Sequence, residues 1–186
     1  MEPTLEEKKI LLETARQSIK SIFTKEKLTK PDYNEHPIFN SHCGAFVTLT
    51  QDGLLRGCIG YIISDTPLFQ TIHEAAVHAA LDDPRFLPVK QKEIDNLSIE
   101  ISILSEPFPL SNYDEIELGK HGLILEENGK RGLLLPQVPI EHKMNCNQFL
   151  DAICQKAGFN TYYWKTKQLN LKAFTATVFN EDNFVA

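Results

Sequence analysis

The sequence lacks the features that would place it in a membrane or outside the cell. No stretch approaches the roughly 20 consecutive apolar residues of a membrane-spanning helix, and the first residues lack the apolar core of a signal peptide. The four cysteines are Cys43, Cys58, Cys146 and Cys154. They form no Cys-x-x-Cys pair, so neither a zinc site nor a disulfide framework is indicated. We therefore expect a cytoplasmic protein with reduced thiols and no membrane association.

Motifs for common cofactors and metals are missing as well. The sequence has no phosphate-binding loop, dinucleotide fingerprint, serine-nucleophile elbow or ferredoxin-like cysteine run, so we predict no cofactor. His73 and His78 invite comparison with the HExxH zinc motif, but five residues separate them. On a helix this spacing places them about 140° apart, on different faces, so we predict no metal site.

Positive charge is also scarce. The 186 residues include 19 Lys and Arg against 25 Asp and Glu, which gives a net charge of −6 and an isoelectric point of about 5.5. This balance disfavours a broad nucleic-acid-binding surface but is compatible with a local basic pocket. The apolar share of 42% is that of an ordinary globular protein, and the length suffices for one domain with a real core.

Helix signals are clear at two places in the first half of the chain. Thr4 and Glu7 have the spacing of a capping box, at the start of an amphipathic helix that we extend to about Phe23. A second helix is predicted for Pro67–Leu81, with Thr66 as its N-cap. It ends before Asp83-Pro84, since the residue before proline avoids helical geometry. The residues expected to pack it against a sheet are Ile72, Ala76 and Ala79.

The remaining elements follow from the same kinds of signal. They are a long loop at Lys25–Asn40, an alternating strand at Leu97–Ile103, a hairpin of Leu123–Glu126 and Arg131–Leu135 around Asn128-Gly129, a helix capped by Asn145 and closed by Gly158, and a last strand at Leu171–Phe179. Helices and antiparallel hairpins are interspersed without a βαβ unit. The class is therefore α+β, a mainly antiparallel sheet with packed helices.

The chain is organised around a short motif in its first hairpin, Leu55–Gly60 (Leu-Arg-Gly-Cys-Ile-Gly). Ala45–Thr50 and Leu54–Ile63 are predicted to pair antiparallel, because Asp52-Gly53 between them favours a tight turn.

Alternation along a strand puts three residues of this motif, Arg56, Cys58 and Gly60, on one face. Glycine inside a strand often marks a close approach by another group, so we assign Gly57 and Gly60 to a substrate pocket. We add His73 to this pocket.

This motif and several others resemble the AMMECR domain family. Leu55–Gly60 is preceded by Gly44–Leu49 (Gly-Ala-Phe-Val-Thr-Leu), as in the family signature. Supporting motifs in the family's order are Asp83–Phe86, Glu100–Leu104, His121–Leu123 and Leu135–Val138. The resemblance covers the chain from the first helix to about Phe179. The chain departs from the family pattern at Lys143–Asn145 (Lys-Met-Asn), where family members usually carry Gly-Trp-Asp.

The resemblance implies a fold and a set of partners. It implies one AMMECR-type domain over residues 1–186, with a larger subdomain that holds the Arg56–Cys58 hairpin and a smaller one around residues 105–145. It also implies the company of Memo-type or radical-SAM proteins. It implies no particular reaction.

Cys58 is the residue on which a catalytic interpretation depends. Arg56 on the same face would favour the thiolate, which is the nucleophilic form, and the neighbouring glycines would admit a substrate. Alternatively, Cys58 is a small apolar residue packed in the sheet. No base is assigned, since His42, His73, His78 and His121 are candidates by type only.

Three further charged residues have two interpretations each. Asp83 and Arg85 either hold an anionic substrate and move protons or form an ion pair that fixes their loop. Glu100 either faces solvent or meets Arg56 or Arg85, because a carboxylate in so apolar a strand is rarely buried alone.

Two functions are therefore compatible with the sequence. The first is an enzyme that acts on a small anionic or nucleotide-like substrate, with catalytic residues among Arg56, Cys58, Asp83, Arg85 and Glu100. The second is a non-catalytic binding or scaffold module, in which the glycine-lined face receives a partner such as a Memo-type or radical-SAM protein.

Overall fold

The computed structural model describes residues 2–24 and 27–184, apart from the side chain of Asn183. The chain forms two compact units. The first consists of the chain up to Leu104 together with the segment from Thr177 onward, and the second is Ser105–Ala176. The second unit thus contains the segment around residues 105–145 and continues beyond it.

The first unit contains a four-stranded antiparallel sheet in the order β2-β1-β3-β8. Its strands are β1 (Ala45–Gln51), β2 (Leu54–Tyr61), β3 (Leu97–Leu104) and β8 (Ala176–Asn180). The predicted pairing of β1 with β2 is confirmed. Asp52 and Gly53 between them have φ values of +52° and +75°, as expected for a turn in which both central residues are left-handed.

Two helices pack on one face of this sheet. Helix α1 (Leu5–Thr24) begins with the predicted capping box, in which the Glu7 N–H donates to Thr4 Oγ1 (3.3 Å) and the Thr4 N–H donates to Glu7 Oε2 (2.7 Å). Helix α2 (Leu68–Leu81) ends where Asp83-Pro84 predicted. Its N-cap is Pro67 and not Thr66, whose hydroxyl instead bonds to neighbouring hydroxyl groups.

The core of the first unit lies between these helices and the sheet. Every second residue of β1 and β3 is buried there, as the alternation predicted. The buried residues of the two strands on this face are Ala45, Val47, Leu49, Leu97, Ile99, Ile101 and Ile103, and those predicted for α2, Ile72, Ala76 and Ala79, are buried too.

The second unit contains another four-stranded antiparallel sheet, in the order β4-β7-β5-β6. Its strands are β4 (Phe108–Pro109), β5 (Gly122–Glu127), β6 (Lys130–Leu134) and β7 (Leu171–Phe174), and its helices are α3 (Val138–Glu141) and α4 (Cys146–Lys156). Asn128-Gly129 forms the predicted turn, with φ values of +52° and +73°. Asn145 caps α4, because its side chain accepts from the Gln148 N–H at 3.0 Å.

The last predicted strand, Leu171–Phe179, is wrong as a single element. The chain leaves β7 at Phe174, and Thr175 separates it from β8, which begins at Ala176. The two halves belong to different sheets, so one alternating stretch contributes a strand to each sheet. Alternation reports which residues are buried and not which neighbour a strand pairs with.

The loop predicted for Lys25–Asn40 contains a short 3-10 helix, Pro37–Asn40, at its end. Its first two residues, 25 and 26, lie outside the described part of the chain. Within the described residues, no helix is long and apolar enough to cross a membrane.

Candidate functional site

A bulge in β2 determines where Arg56 is directed. The strand register changes from Leu49 opposite Gly57 to Thr50 opposite Leu55, which leaves Arg56 without a partner in β1. Its guanidinium bonds Glu93 in the 3-10 helix Gln91–Asn96, with Nε to Oε1 at 3.0 Å. This bond lowers the pKa of Glu93, as does the N–H of Lys90. Arg56 is therefore paired with the carboxylate of Glu93, a residue that the sequence did not indicate as its partner.

The outer edge of β2 is covered at Cys58 by two residues that follow α2. The Cys58 N–H donates to Asp83 Oδ2 at 2.8 Å, and Arg85 Nη2 lies 3.4 Å from the Cys58 carbonyl oxygen. Since β2 is the first strand in the sheet order, this edge faces away from β1. Asp83 and Arg85 thus satisfy the two backbone groups of Cys58 that a further strand would bond.

Asp83 and Arg85 also hold each other in a two-point ion pair. Arg85 donates through Nε to Asp83 Oδ1 (2.9 Å) and through Nη2 to Oδ2 (2.7 Å). The Asp83 side chain is 2% exposed and the Arg85 side chain 54%. The bond from Arg85 holds the pKa of Asp83 well below its usual range, although burial opposes this. It also raises the pKa of Arg85, to which the Cys58 side chain adds a smaller effect.

The thiol of Cys58 lies on the face of the sheet opposite the helices. Cys58 pairs with Thr48 in β1, and the Thr48 hydroxyl donates to Cys58 Sγ at 3.3 Å. Cys58 is half-buried. Burial raises the pKa of the other three thiols, Cys43, Cys146 and Cys154.

The two glycines of the motif are contacted by the protein itself. A Cβ at Gly57 would lie 2.1 Å from the carbonyl oxygen of Ala79, so α2 passes directly over this residue. A Cβ at Gly60 would lie 2.5 Å from the ring of Phe46 and 2.3 Å from the carbonyl oxygen of Ala45. The close approach expected from these glycines is made by α2 and by β1.

The structure brings some of the predicted site residues together and leaves others apart. Glu100 in β3 lies in one row with Cys58, because both are directly opposite Thr48. At the usual strand spacing of about 5 Å, the row separates Cys58 and Glu100 by about 10 Å. His73 bonds the hydroxyl of Ser18 on α1 at 2.8 Å, on the helical side of the sheet.

The other histidines considered as bases have their own environments. His78 bonds Asp82 at 2.6 Å, and His42 is exposed. His121 belongs to the second unit, where its Nδ1 accepts from the Glu117 N–H. In residues 2–24 and 27–184, no three His, Cys, Asp or Glu side chains are grouped to hold a metal ion.

Three contributors to the site were not predicted: Glu93, Thr48 and Phe46. Thr48 and Phe46 could have been found by pairing alternate residues across the hairpin, had the bulge been known. Glu93 follows two lysines in a polar stretch, and nothing in that stretch indicates its partner.

This is an α+β protein of two antiparallel sheets, whose glycine-rich edge strand is held by an Asp–Arg pair. The chain belongs to the AMMECR1 family, whose sequence model matches residues 12–179.

Related proteins share most of the chain. Protein Ta0236 of Thermoplasma acidophilum is 42% identical over 174 residues, which cover 90% of this chain and 84% of that protein. Protein Mbar_A1807 of Methanosarcina barkeri is 40% identical over 175 residues, 90% of this chain and 86% of that protein. The crystal structure of uncharacterized protein PH0010 from Pyrococcus horikoshii matches with a TM-score of 0.83 at 36% identity, covering 93% of this chain and 90% of that one.

The departure from the family pattern at Lys143–Asn145 has a local structural meaning. Lys143 has a φ of +51°, a conformation that glycine adopts without steric cost. Asn145 caps α4, a role for which aspartate is equally suited. Met144 packs against the core of the second unit. Lys143 therefore occupies a backbone conformation that suits glycine, and Met144 supplies a flexible apolar side chain to the core.

Proposed function

We propose that this protein is a binding module that receives an anionic group at Arg85, on the outer edge of β2. One arrangement carries the proposal: buried Asp83 fixes Nε and Nη2 of a guanidinium that is itself half exposed. In the described part of the chain, Nη1 of Arg85 has no hydrogen-bond partner. A guanidinium held in one orientation loses little conformational entropy on binding a carboxylate or phosphate.

Three observations favour binding over acid–base chemistry at this edge of β2. Arg56 is engaged by Glu93. The lowered pKa of Asp83 keeps its carboxylate ionised at neutral pH, so it holds no proton to donate. The spaces beside Gly57 and Gly60 are filled by backbone and by Phe46, so they offer no room for a substrate.

The proposal is tested by titrating the protein with phosphate, acetate and AMP while recording ¹⁵N NMR spectra. We expect the Arg85 Nε–H and Cys58 N–H signals to shift with at least one of these anions. Arg85→Gln should abolish the shift of Cys58. Arg131→Gln is the matched control, because Arg131 is also half exposed but lies on the second unit. Shifts that are absent, or that persist in Arg85→Gln, would overturn the proposal.

A second candidate function is nucleophilic chemistry at Cys58. It is favoured by one observation: the half-buried Cys58 has a cation beside it, since Arg85 Nη2 lies 3.4 Å from the Cys58 carbonyl oxygen. Reactive cysteines in proteins are found next to such cations. We expect iodoacetamide to alkylate Cys58 faster at neutral pH than Cys43, Cys146 or Cys154, whose raised pKa values reduce their thiolate fractions.

Peptide mass spectrometry at several reaction times measures these rates. Arg85→Gln should slow the alkylation of Cys58, whereas Arg56→Gln should not, because Arg56 is paired with Glu93. If Cys58 reacts no faster than the other three thiols, the catalytic alternative is rejected and the binding module stands.

The family resemblance suggests which partners to test first. Memo-type and radical-SAM proteins are the proposed partners of the binding module, in the cytoplasm. Binding that is lost with Arg85→Gln would assign the contact to this edge.

A further inference from the structure

A stretch next to the proposed site carries positive charge in an otherwise acidic chain. Residues 84–92 include Arg85, Lys90 and Lys92 and no carboxylate, although the whole chain has a net charge of −6. All three cations are exposed. The carboxylates at the two ends of the stretch, Asp83 and Glu93, are already paired with arginines.

The backbone of this stretch is fixed along α2 and β2. Arg85 is held at Cys58, and the Val89 N–H donates to the carbonyl oxygen of Ala80 on α2 at 2.8 Å. Val89 is buried, and the Lys90 N–H is bonded by Glu93. The backbone of the stretch is therefore held in place, and its exposed cations extend from it.

Between these anchors one large apolar side chain points into solvent. Leu87 is 78% exposed, two residues after Arg85 and two before buried Val89. Leu54 and Leu55 at the start of β2 are 73% and 42% exposed. They directly precede Arg56, whose bond to Glu93 ties this end of β2 to the end of the basic stretch. We call Arg85, Leu87, Lys90 and Lys92 together with these two leucines the basic ridge.

We propose that the basic ridge is a docking surface for an acidic, leucine-containing segment of a partner protein. The inference rests on the proposed function in that Arg85 would receive one carboxylate of the segment. Lys90 and Lys92 supply charge complementarity for further carboxylates, and the exposed leucines supply apolar area that such a segment would bury. An isolated exposed leucine is ordinary, but Leu87 stands within the row of cations, and Leu54 and Leu55 are exposed at the end of β2 that Arg56 ties to Glu93. This combination is suited to an amphipathic acidic partner.

A random dodecapeptide library displayed on phage tests this partner class. We expect selection on the full-length protein to enrich peptides rich in Asp or Glu together with Leu or related apolar residues. Synthetic copies of the enriched peptides should bind the variant L87S/K90Q/K92Q about tenfold more weakly than the parent, measured by fluorescence anisotropy. The variant K156Q/K172Q removes two exposed lysines of the second unit and should bind as the parent does.

Several results would overturn the proposal. These are no enrichment, enrichment of peptides without acidic residues, or equal affinity of the parent and the ridge variant. Two other probes are run beside the peptides: vesicles of phosphatidylcholine and phosphatidylserine, and a single-stranded oligothymidylate. If the ridge variant loses affinity for either of these but not for the peptides, the surface recognises a membrane or a nucleic acid instead.

Failure of the ridge is distinguishable from failure of the proposed function. If small anions shift Cys58 through Arg85 but no acidic peptide binds, the ridge is wrong and the proposed function stands. In the opposite case, acidic peptides bind through Leu87, Lys90 and Lys92, but Arg85→Gln changes neither the peptide affinity nor the response to small anions. The docking surface then stands without Arg85, and the proposed function is wrong.

Discussion

Gly57 and Gly60 show why a single residue type can be needed twice in one strand for different reasons. At Gly57 the absent side chain allows the α2 backbone to approach β2. At Gly60 it allows the ring of Phe46 to lie over the strand from its neighbour β1. Both positions were expected from the sequence to admit another group. The sequence could not indicate that the group belongs to the protein, because contacts between distant segments are not encoded in local pattern.

Gly57→Ala should destabilise the protein by about 1–3 kcal/mol, the usual cost of overpacking. The added methyl group meets the backbone of Ala79, which cannot rotate away as a side chain can. In a protein of this size each kcal/mol lowers the melting temperature by roughly 2–4 °C. Thermal unfolding followed by far-UV circular dichroism measures the change.

The control for this prediction is Gly53→Asn. Gly53 has a φ of +75° and open space around it, and asparagine tolerates such a conformation. We expect only a small change in melting temperature. A Gly57→Ala protein that melts with the parent would mean that α2 moves away at no cost, and the close packing would then be incidental.

Among the elements, the first hairpin shows how far sequence reasoning reaches. Asp52-Gly53 predicts the turn and both strands, because these residues tolerate left-handed backbone conformations. A regular two-residue hairpin would place Leu49 opposite Arg56, with a buried apolar residue facing a cation. The bulge shifts the register by one residue, and Leu49 then lies opposite Gly57 under α2. The sequence shows that a regular hairpin would pair Leu49 with Arg56, but it does not show that a bulge prevents this pairing.

Arg16 connects four elements of the first unit through hydrogen bonds, and no sequence motif indicates this role. From α1 it donates to the carbonyl oxygens of Ile94 and Leu97, both at 2.7 Å. It also forms a two-point ion pair with Glu181, with Nε to Oε1 at 2.9 Å, and Glu181 accepts from the Ile99 N–H. The segment after β8 is thereby fixed to the start of β3 and to α1.

Arg16→Met should cost about 2–3 kcal/mol, because it leaves two carbonyl groups and a partly buried carboxylate without their charged partner. Urea unfolding monitored by circular dichroism measures the loss. The control is Arg131→Met. In the parent, Arg131 Nε lies 3.9 Å from Glu126 in an exposed pair. Removing this arginine should change the free energy of unfolding by less than about 0.5 kcal/mol. Equal losses for the two variants would contradict the assigned role of Arg16.

At the scale of the whole molecule, the two units differ in charge. Ser105–Ala176 contains equal numbers of acidic and basic residues, so the excess negative charge of the chain belongs to the rest of it. The first unit also holds the two carboxylates that are paired with arginines at the site. Asp83 has a lowered pKa because of its bond from Arg85, and Glu93 because of its bond from Arg56.

Acid should therefore weaken the first unit through these two groups. Their unfolded pKa values are near 3.9 and 4.3, above the folded ones, so the unfolded state takes up protons first as the pH falls. The stability they contribute is fully present above about pH 5 and is lost as the pH falls through their folded pKa values. Asp83→Asn should reduce this dependence, and Asp95→Asn, which removes an exposed carboxylate of the same unit, is the control variant.

Two optical signals separate the units in this experiment. The single tryptophan, Trp164, belongs to the second unit, where its indole N–H donates to Asp151 at 2.7 Å. Its fluorescence reports on that unit, while far-UV circular dichroism reports on both. Between pH 7 and pH 3.5 we expect the urea midpoint from circular dichroism to fall further in the parent than in Asp83→Asn. An identical pH dependence in the two proteins would contradict the role given to Asp83.

The sequence predicted the elements and the α+β class well because caps, turns and alternation are local signals. It predicted Arg56, Cys58, Asp83 and Arg85 as a neighbourhood, but it did not indicate Glu93, the carboxylate that pairs with Arg56. That pairing depends on where the stretch after α2 returns to β2, which is a matter of tertiary packing. The division of the last strand between two sheets has the same origin.

Because of that division, the last strand of the first sheet is synthesised long after the other three. A ribosome adds about 5–20 residues per second, and about 70 residues separate the end of β3 from the start of β8. A first sheet that folds as soon as β3 is made would have three strands for about 4–14 seconds, and β3 would have a free edge that can pair with other chains. Glu181, which completes the contacts of Arg16, is made later still. The unit whose synthesis begins first is thus completed after the second one.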